Sequence, residues 1–85
     1  MLLAEDDPVV RMLGVLMLKK LGYTVIEAED GAKALKALKT LKGGEKVHLL
    51  LTDVVMPGGM SGVELAKKAR KLDPDMGVLL CTGYN

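Results

Sequence analysis

The sequence has no tryptophan and no phenylalanine, two tyrosines, one cysteine, one histidine and three prolines among its 85 residues. A lone cysteine, Cys81, closes no internal disulfide, and with His48 the only histidine no Cys/His cage can hold a metal. Zinc centres and secreted disulfide scaffolds are thereby excluded. No run approaches the about 20 apolar residues a membrane span needs, and the apolar start Met1-Leu2-Leu3-Ala4 runs straight into acid. A cytoplasmic protein with no membrane partner is expected. Neither sign of charge dominates: 12 Lys and Arg face 11 Asp and Glu, a net charge of +1, so no overall field recruits nucleic acid or anionic lipid. The lysine-rich stretches lack interleaved aromatics and read as solvated helix faces, with no direct nucleic-acid contact expected. Repeats and low-complexity tracts are also missing, and the length suits one small domain. What is there is core material: 49% hydrophobic against 27% charged residues.

Short apolar runs alternate with helical periodicities. Leu2-Leu3-Ala4 reads as a strand, and Asp7-Pro8 as a helix start with an acidic cap and proline at the first helical position. A helix over 8–21 follows, its core stripe read as Val10, Leu13, Gly14, Met17 and Leu21, stopped by Gly22. Residues 24–28 are β-branched and short, a second strand. Asp30-Gly31 opens a helix with Ala34, Leu35, Leu38 and Leu41 on one face, and the run from Lys42 through Gly43-Gly44-Glu45 to Lys46 reads as a mobile loop. The unbroken apolar centre of 48–53 fits a strand covered on both faces and ends in Asp53. Ser61 and Glu64 have capping-box spacing for a third helix ending before Asp73-Pro74, and 77–81 is the fourth strand. This order implies right-handed crossovers and an α/β fold: a doubly wound parallel sheet with helices on both faces.

Ligands of such sheets bind beyond the carboxyl ends of the strands, where strand order reverses. Glu5 and Asp6 end the first strand and Asp53 ends the third, so neighbouring first and third strands bring these acids together. Carboxylates so placed repel one another and call for a cation; their hard oxygens favour Mg²⁺, and no basic residue lies close in sequence to offset them. A carboxylate beside Mg²⁺ at an open sheet edge can attack phosphorus.

Four motifs in order now carry a resemblance: Leu3-Ala4-Glu5-Asp6-Asp7-Pro8, then Leu51-Thr52-Asp53-Val54-Val55-Met56-Pro57, Met60-Ser61-Gly62-Val63-Glu64-Leu65, and Val78-Leu79-Leu80-Cys81-Thr82-Gly83-Tyr84. Together they resemble the receiver domain of two-component response regulators, the CheY-like superfamily, and most of all receivers attached to bacterial hybrid sensor histidine kinases. The resemblance implies a flavodoxin-like sheet of strand order 2-1-3-4 over residues 1–85. It implies Asp53 as acceptor of phosphate from a histidine kinase or histidine phosphotransfer domain. Asp6 is then a direct Mg²⁺ ligand, Glu5 an acid holding the metal through water, and the Val55 backbone carbonyl a third protein ligand. Thr82 is the switch hydroxyl and Gly83 the small residue leaving space for phosphate. The family continues into a fifth strand bearing a lysine and a fifth helix; this sequence stops at Asn85 and reads as truncated, with phosphotransfer expected to be impaired and the fourth strand expected to dimerise or domain-swap along its open edge. Val9, Met12, Val15, Leu16 and Leu18 add apolar residues to the first helix beyond its stripe, a surface for the helices that carry the donor histidine.

Plainer roles stand beside these. Asp7 reads as a helix cap, His48 as an incidental residue at the far end of its strand, and Cys81 as a small core residue. The competing function is a non-phosphorylatable, receiver-like interaction fragment working through its open edge. A small Mg²⁺ phosphatase is disfavoured, because Asp53-Val54-Val55 has no second acid two residues on.

Overall fold

Four short apolar runs form parallel strands, β1 (Leu2–Ala4), β2 (Ile26–Ala28), β3 (Leu49–Asp53) and β4 (Gly77–Cys81), alternating with α1 (Pro8–Lys20), α2 (Gly31–Lys39) and α3 (Gly62–Leu72). The computed structural model describes residues 1–41, 46–56 and 59–81. The loop expected from Lys42 onward lies outside them up to Glu45.

The sheet order is β2-β1-β3-β4, the flavodoxin-like order expected. β1 sits at the switch point, pairing Ala4 with Ala28 on one side and with Thr52 on the other. One residue further along, Glu5 comes level with Asp53. The ladder reaches that level on the β2 side too, where the Glu5 amide donates to the Ala28 carbonyl at 3.0 Å.

Side chains of β1 alternate between the two faces. Leu2 and Ala4 join Leu50 in a buried cluster with Ala34, Leu35 and Leu38 of α2 and Leu65 and Ala69 of α3. Leu3 turns the other way, toward α1: a Cβ on Gly14 would lie 3.0 Å from its Cδ2. Thus α1 covers one face, and α2 and α3 the other.

The helix starts are those written in the sequence. Asp7 Oδ1 accepts from the Val9 and Val10 amides at 2.8 and 3.2 Å, Asp30 Oδ1 from the Lys33 amide at 2.8 Å, and Ser61 Oγ from the Glu64 amide at 3.1 Å. Asp7 is therefore the cap it was expected to be. At the end of α1, Gly22 adopts φ 98°, a left-handed value that suits glycine. Its amide donates to the Lys19 carbonyl and that of Tyr23 to the Leu18 carbonyl, each at 3.0 Å, closing the helix in a Schellman turn.

Three expectations are corrected. The sheet-facing stripe of α1 is Arg11, Gly14, Val15 and Leu18, while Val10, Leu13, Met17 and Leu21 are exposed. With apolar residues nearly all round the helix, periodicity could not choose; the close approach that Gly14 permits does. Cys81 is exposed rather than a core residue, because β4 pairs with β3 alone among the described residues and only Val78 is partly buried in it. The second strand is shorter than 24–28, with Thr24 instead turning its carbonyl to the Met1 ammonium at 2.9 Å. His48 is exposed just before β3, at the end of the sheet away from the acids, as expected.

Candidate functional site

Glu5, Asp6 and Asp53 meet at the carboxyl edge of β1 and β3. One carboxylate oxygen from each lies within 4.8 Å of the others, and all three residues are half-buried. The main chain holds them there. Glu5 Oε2 accepts from the Asp7 amide at 3.1 Å, so the residue that caps α1 also fixes the first acid. Asp53 Oδ1 accepts from the Val55 amide at 3.4 Å. Below them Thr52 is fully buried, its hydroxyl donating to the Asp53 carbonyl at 3.0 Å.

Val54, just after β3, is fastened on both sides. The Val54 amide donates to the Cys81 carbonyl of β4 at 3.0 Å, and the Val54 carbonyl accepts from the Gly62 amide at the start of α3 at 2.8 Å. Met56 is buried and Met60 packs against the same core.

The electrostatics follow from crowding like charges in a partly dehydrated place. Burial pushes the Glu5 carboxyl above its ordinary value; the hydrogen bond from the Asp7 amide opposes this, and a hydrogen bond with Asp6 and the charges of Asp53 and Asp6 add to it. A raised carboxyl value means the folded chain holds this proton more tightly than the unfolded chain does. The stability it contributes is complete below the ordinary value of 4.5 and is lost as pH rises through the raised one. In chelator, then, Glu5→Gln should raise the melting temperature at neutral pH and flatten its decline with pH. Added Mg²⁺ should do the opposite of what rising pH does. At 100 times its dissociation constant, a ligand of the folded state stabilises by about 2.7 kcal/mol. For a domain of this size that is roughly 10–20 °C. Calorimetric scans of both proteins with and without Mg²⁺ check this, the variant gaining much less.

The donor set fits Mg²⁺. Three hard carboxylate oxygens gathered on one open side leave room for the waters that this small ion sheds reluctantly. Of the other residues expected at the site, Val55 is exposed beside Asp53, and Thr82 and Gly83 lie outside the described residues.

Two residues of the site were not anticipated. Arg11, on the sheet-facing stripe of α1, donates from Nη1 to the Glu5 carbonyl at 2.9 Å and from Nε to Glu27 Oε1 at 3.3 Å. A basic residue therefore does stand beside the acids, and the signal was a lone arginine in register with Gly14 and Leu18. Gly62 packs directly on the Asp53 main chain, a closeness visible in sequence only as a glycine immediately after a cap.

Comparison with known proteins bears on what such a site does. The family described as the response regulator receiver domain matches residues 1–85. The chain is 45% identical over 83 residues to the response regulator receiver protein CpdR of Brucella abortus, covering 98% of this chain and 65% of that protein. It is 46% identical over 83 residues to the sensor kinase CckA of the same organism, of which it spans 8%. Among solved structures, the response regulator TrrA of Thermotoga maritima, in complex with Mg²⁺ and BeF, superposes with a TM-score of 0.85 at 34% identity, covering 99% of this chain and 69% of that one.

Proposed function

The chain belongs to the response regulator receiver domain family, and on that premise we propose that its acidic cup binds Mg²⁺ and that Asp53 accepts a phosphoryl group from the phosphohistidine of a histidine kinase or phosphotransfer domain. It is a cytoplasmic signalling module, not an enzyme with a released product. The observation that carries this reading is the convergence of Glu5, Asp6 and Asp53 at the switch point of the sheet.

The chemistry follows from how Asp53 is held. The Val55 amide engages Oδ1, and Oδ2, which takes no hydrogen bond among the described residues, is the oxygen that would attack phosphorus. The new O–P bond forms as the P–N bond breaks, and the electron pair leaves with the imidazole nitrogen of the donor. Three carboxylates would repel an incoming phosphoryl group; bound Mg²⁺ would supply the positive charge that neutralises its oxygens. Asp6 would ligate the ion directly, Glu5 through water, and Val55 through its backbone carbonyl. Thr82 would supply the hydroxyl that closes on the phosphoryl oxygens, and Gly83 the space they occupy. Val9 and Met12, both exposed on the first turns of α1 beside the cup, support docking of the donor's helices there.

Beryllofluoride, which mimics an acyl phosphate, tests the reading without a kinase. With Mg²⁺ present it should shift the amide resonances of Asp53, Val54 and Val55, and without Mg²⁺ it should leave them in place. A chain indifferent to beryllofluoride at saturating Mg²⁺ would not be a phosphoacceptor.

A further inference from the structure

Arg11 is 18% exposed, and a guanidinium so far out of water must be well bonded to be tolerated. From α1 it spans to the carbonyl of Glu5, the residue that follows β1, and to Glu27 in the middle of β2. Glu27 lies opposite Leu3 in the β1–β2 register, and Leu3 is the β1 residue facing α1, so arginine and glutamate share that face of the sheet.

The carbonyl that Arg11 holds belongs to the peptide unit joining Glu5 to Asp6. Fixing that plane fixes the direction in which both acids leave the main chain. The other side of Glu5 is already fixed by its amide on Ala28, and its carboxylate by the Asp7 amide. Arg11 supplies the remaining restraint. Its charge is engaged by Glu27, which stands outside the cup, so what it gives the cup is geometry: the planar fork of a guanidinium sets two acceptors at defined directions, and a lysine ammonium does not.

We propose that Arg11, buttressed by Glu27, is a positioning residue for the metal cup, setting the Glu5–Asp6 peptide so that both carboxylates converge with that of Asp53. This deepens the Mg²⁺-binding reading and rests on it. Groups that orient metal ligands from behind typically change affinity by about 10–100-fold when removed.

Calorimetric titration of the full chain with MgCl2, well below each variant's melting temperature, tests it. Arg11→Ala should weaken Mg²⁺ binding about tenfold or more. Arg11→Lys should weaken it nearly as much despite keeping the charge, and Glu27→Ala by a smaller factor. The Arg11→Ala/Glu27→Ala double variant should be no weaker than Arg11→Ala alone, since both changes cut one restraint. Leu38→Ala, in the core on the other face of the sheet, is the control: it should lower the melting temperature and leave the dissociation constant unchanged. If Arg11→Ala does not fold, Arg11→Lys and Glu27→Ala carry the comparison. Wild-type affinity in Arg11→Lys would overturn the positioning role, as would loss of affinity in Leu38→Ala in step with its stability. Absence of Mg²⁺ binding to the unaltered chain would instead overturn the function on which the role depends.

Discussion

Asp53→Asn should abolish acyl-phosphate formation while making the metal-free domain more stable. Asparagine keeps the shape of the side chain but cannot ionise, so the nucleophile is gone. Phosphoryl transfer from a small donor such as acetyl phosphate, in which the P–O bond to acetate breaks as the bond to Asp53 forms, should fall to background by intact-mass measurement. The change also removes one of three negative charges crowded within 4.8 Å, which relieves Glu5 and Asp6. Like-charge repulsion at a partly solvated edge is screened, so the stabilisation should be modest, about 1 kcal/mol or less. With Mg²⁺ present the order should reverse, because the unaltered chain keeps its full set of donors. Loss of transfer together with a higher melting temperature in chelator separates a missing nucleophile from simple unfolding. A lower melting temperature would mean that Asp53 is held by bonds worth more than the repulsion it feels.

Gly62→Ala should be among the most damaging single-methyl changes in the chain. A Cβ at this position would collide with the Asp53 carbonyl oxygen and would sit 2.8 Å from the Asp53 carbonyl carbon and 3.0 Å from the Val54 Cα. These are main-chain atoms of Asp53 and of the residue after it, with no flexible side chain to yield. At Gly31 the nearest atom is the Met60 sulfur at 2.7 Å, and there a methionine can move aside. Overpacking commonly costs about 1–3 kcal/mol. Against rigid backbone the cost should reach about 3 kcal/mol or more, a large part of the roughly 5–15 kcal/mol that holds a domain together. The alternative to that cost is for α3 to back away and break the 2.8 Å bond from the Gly62 amide to the Val54 carbonyl, which displaces Asp53 from the cup. Denaturant unfolding should show the loss, and Gly31→Ala should lose much less. Equal losses would show that α3 is free to slide on the strand.

The sequence made legible those features that depend on local chemistry. Asp7, Asp30 and Ser61 cap helices because short polar side chains satisfy free amides wherever they precede a helical run. Glu5, Asp6 and Asp53 could be placed on strand ends because their strands are short and apolar, and adjacency of those strands brought the carboxylates together. The stripe of α2 was readable since lysines mark its outer face. Helix α1 was not, because Val9, Val10, Met12, Leu13, Leu16 and Met17 leave almost no polar side to set against a core side. Its orientation is decided by contacts between elements: Gly14 against Leu3, and Arg11 across to Glu27. Gly62 was hidden for the same reason, since its neighbour in space is Asp53 and its neighbours in sequence say nothing of that approach.

Titration with Mn²⁺, a paramagnetic ion that takes the same oxygen donors as Mg²⁺, reads the location of the cup most directly. If Glu5, Asp6 and Asp53 together form the divalent-ion site, the first amide resonances to broaden should be those of residues 5–7 and 53–55, and excess Mg²⁺ should restore them. Broadening centred on other acids such as Asp73 and Asp75, or broadening that Mg²⁺ fails to reverse, would contradict the shared site.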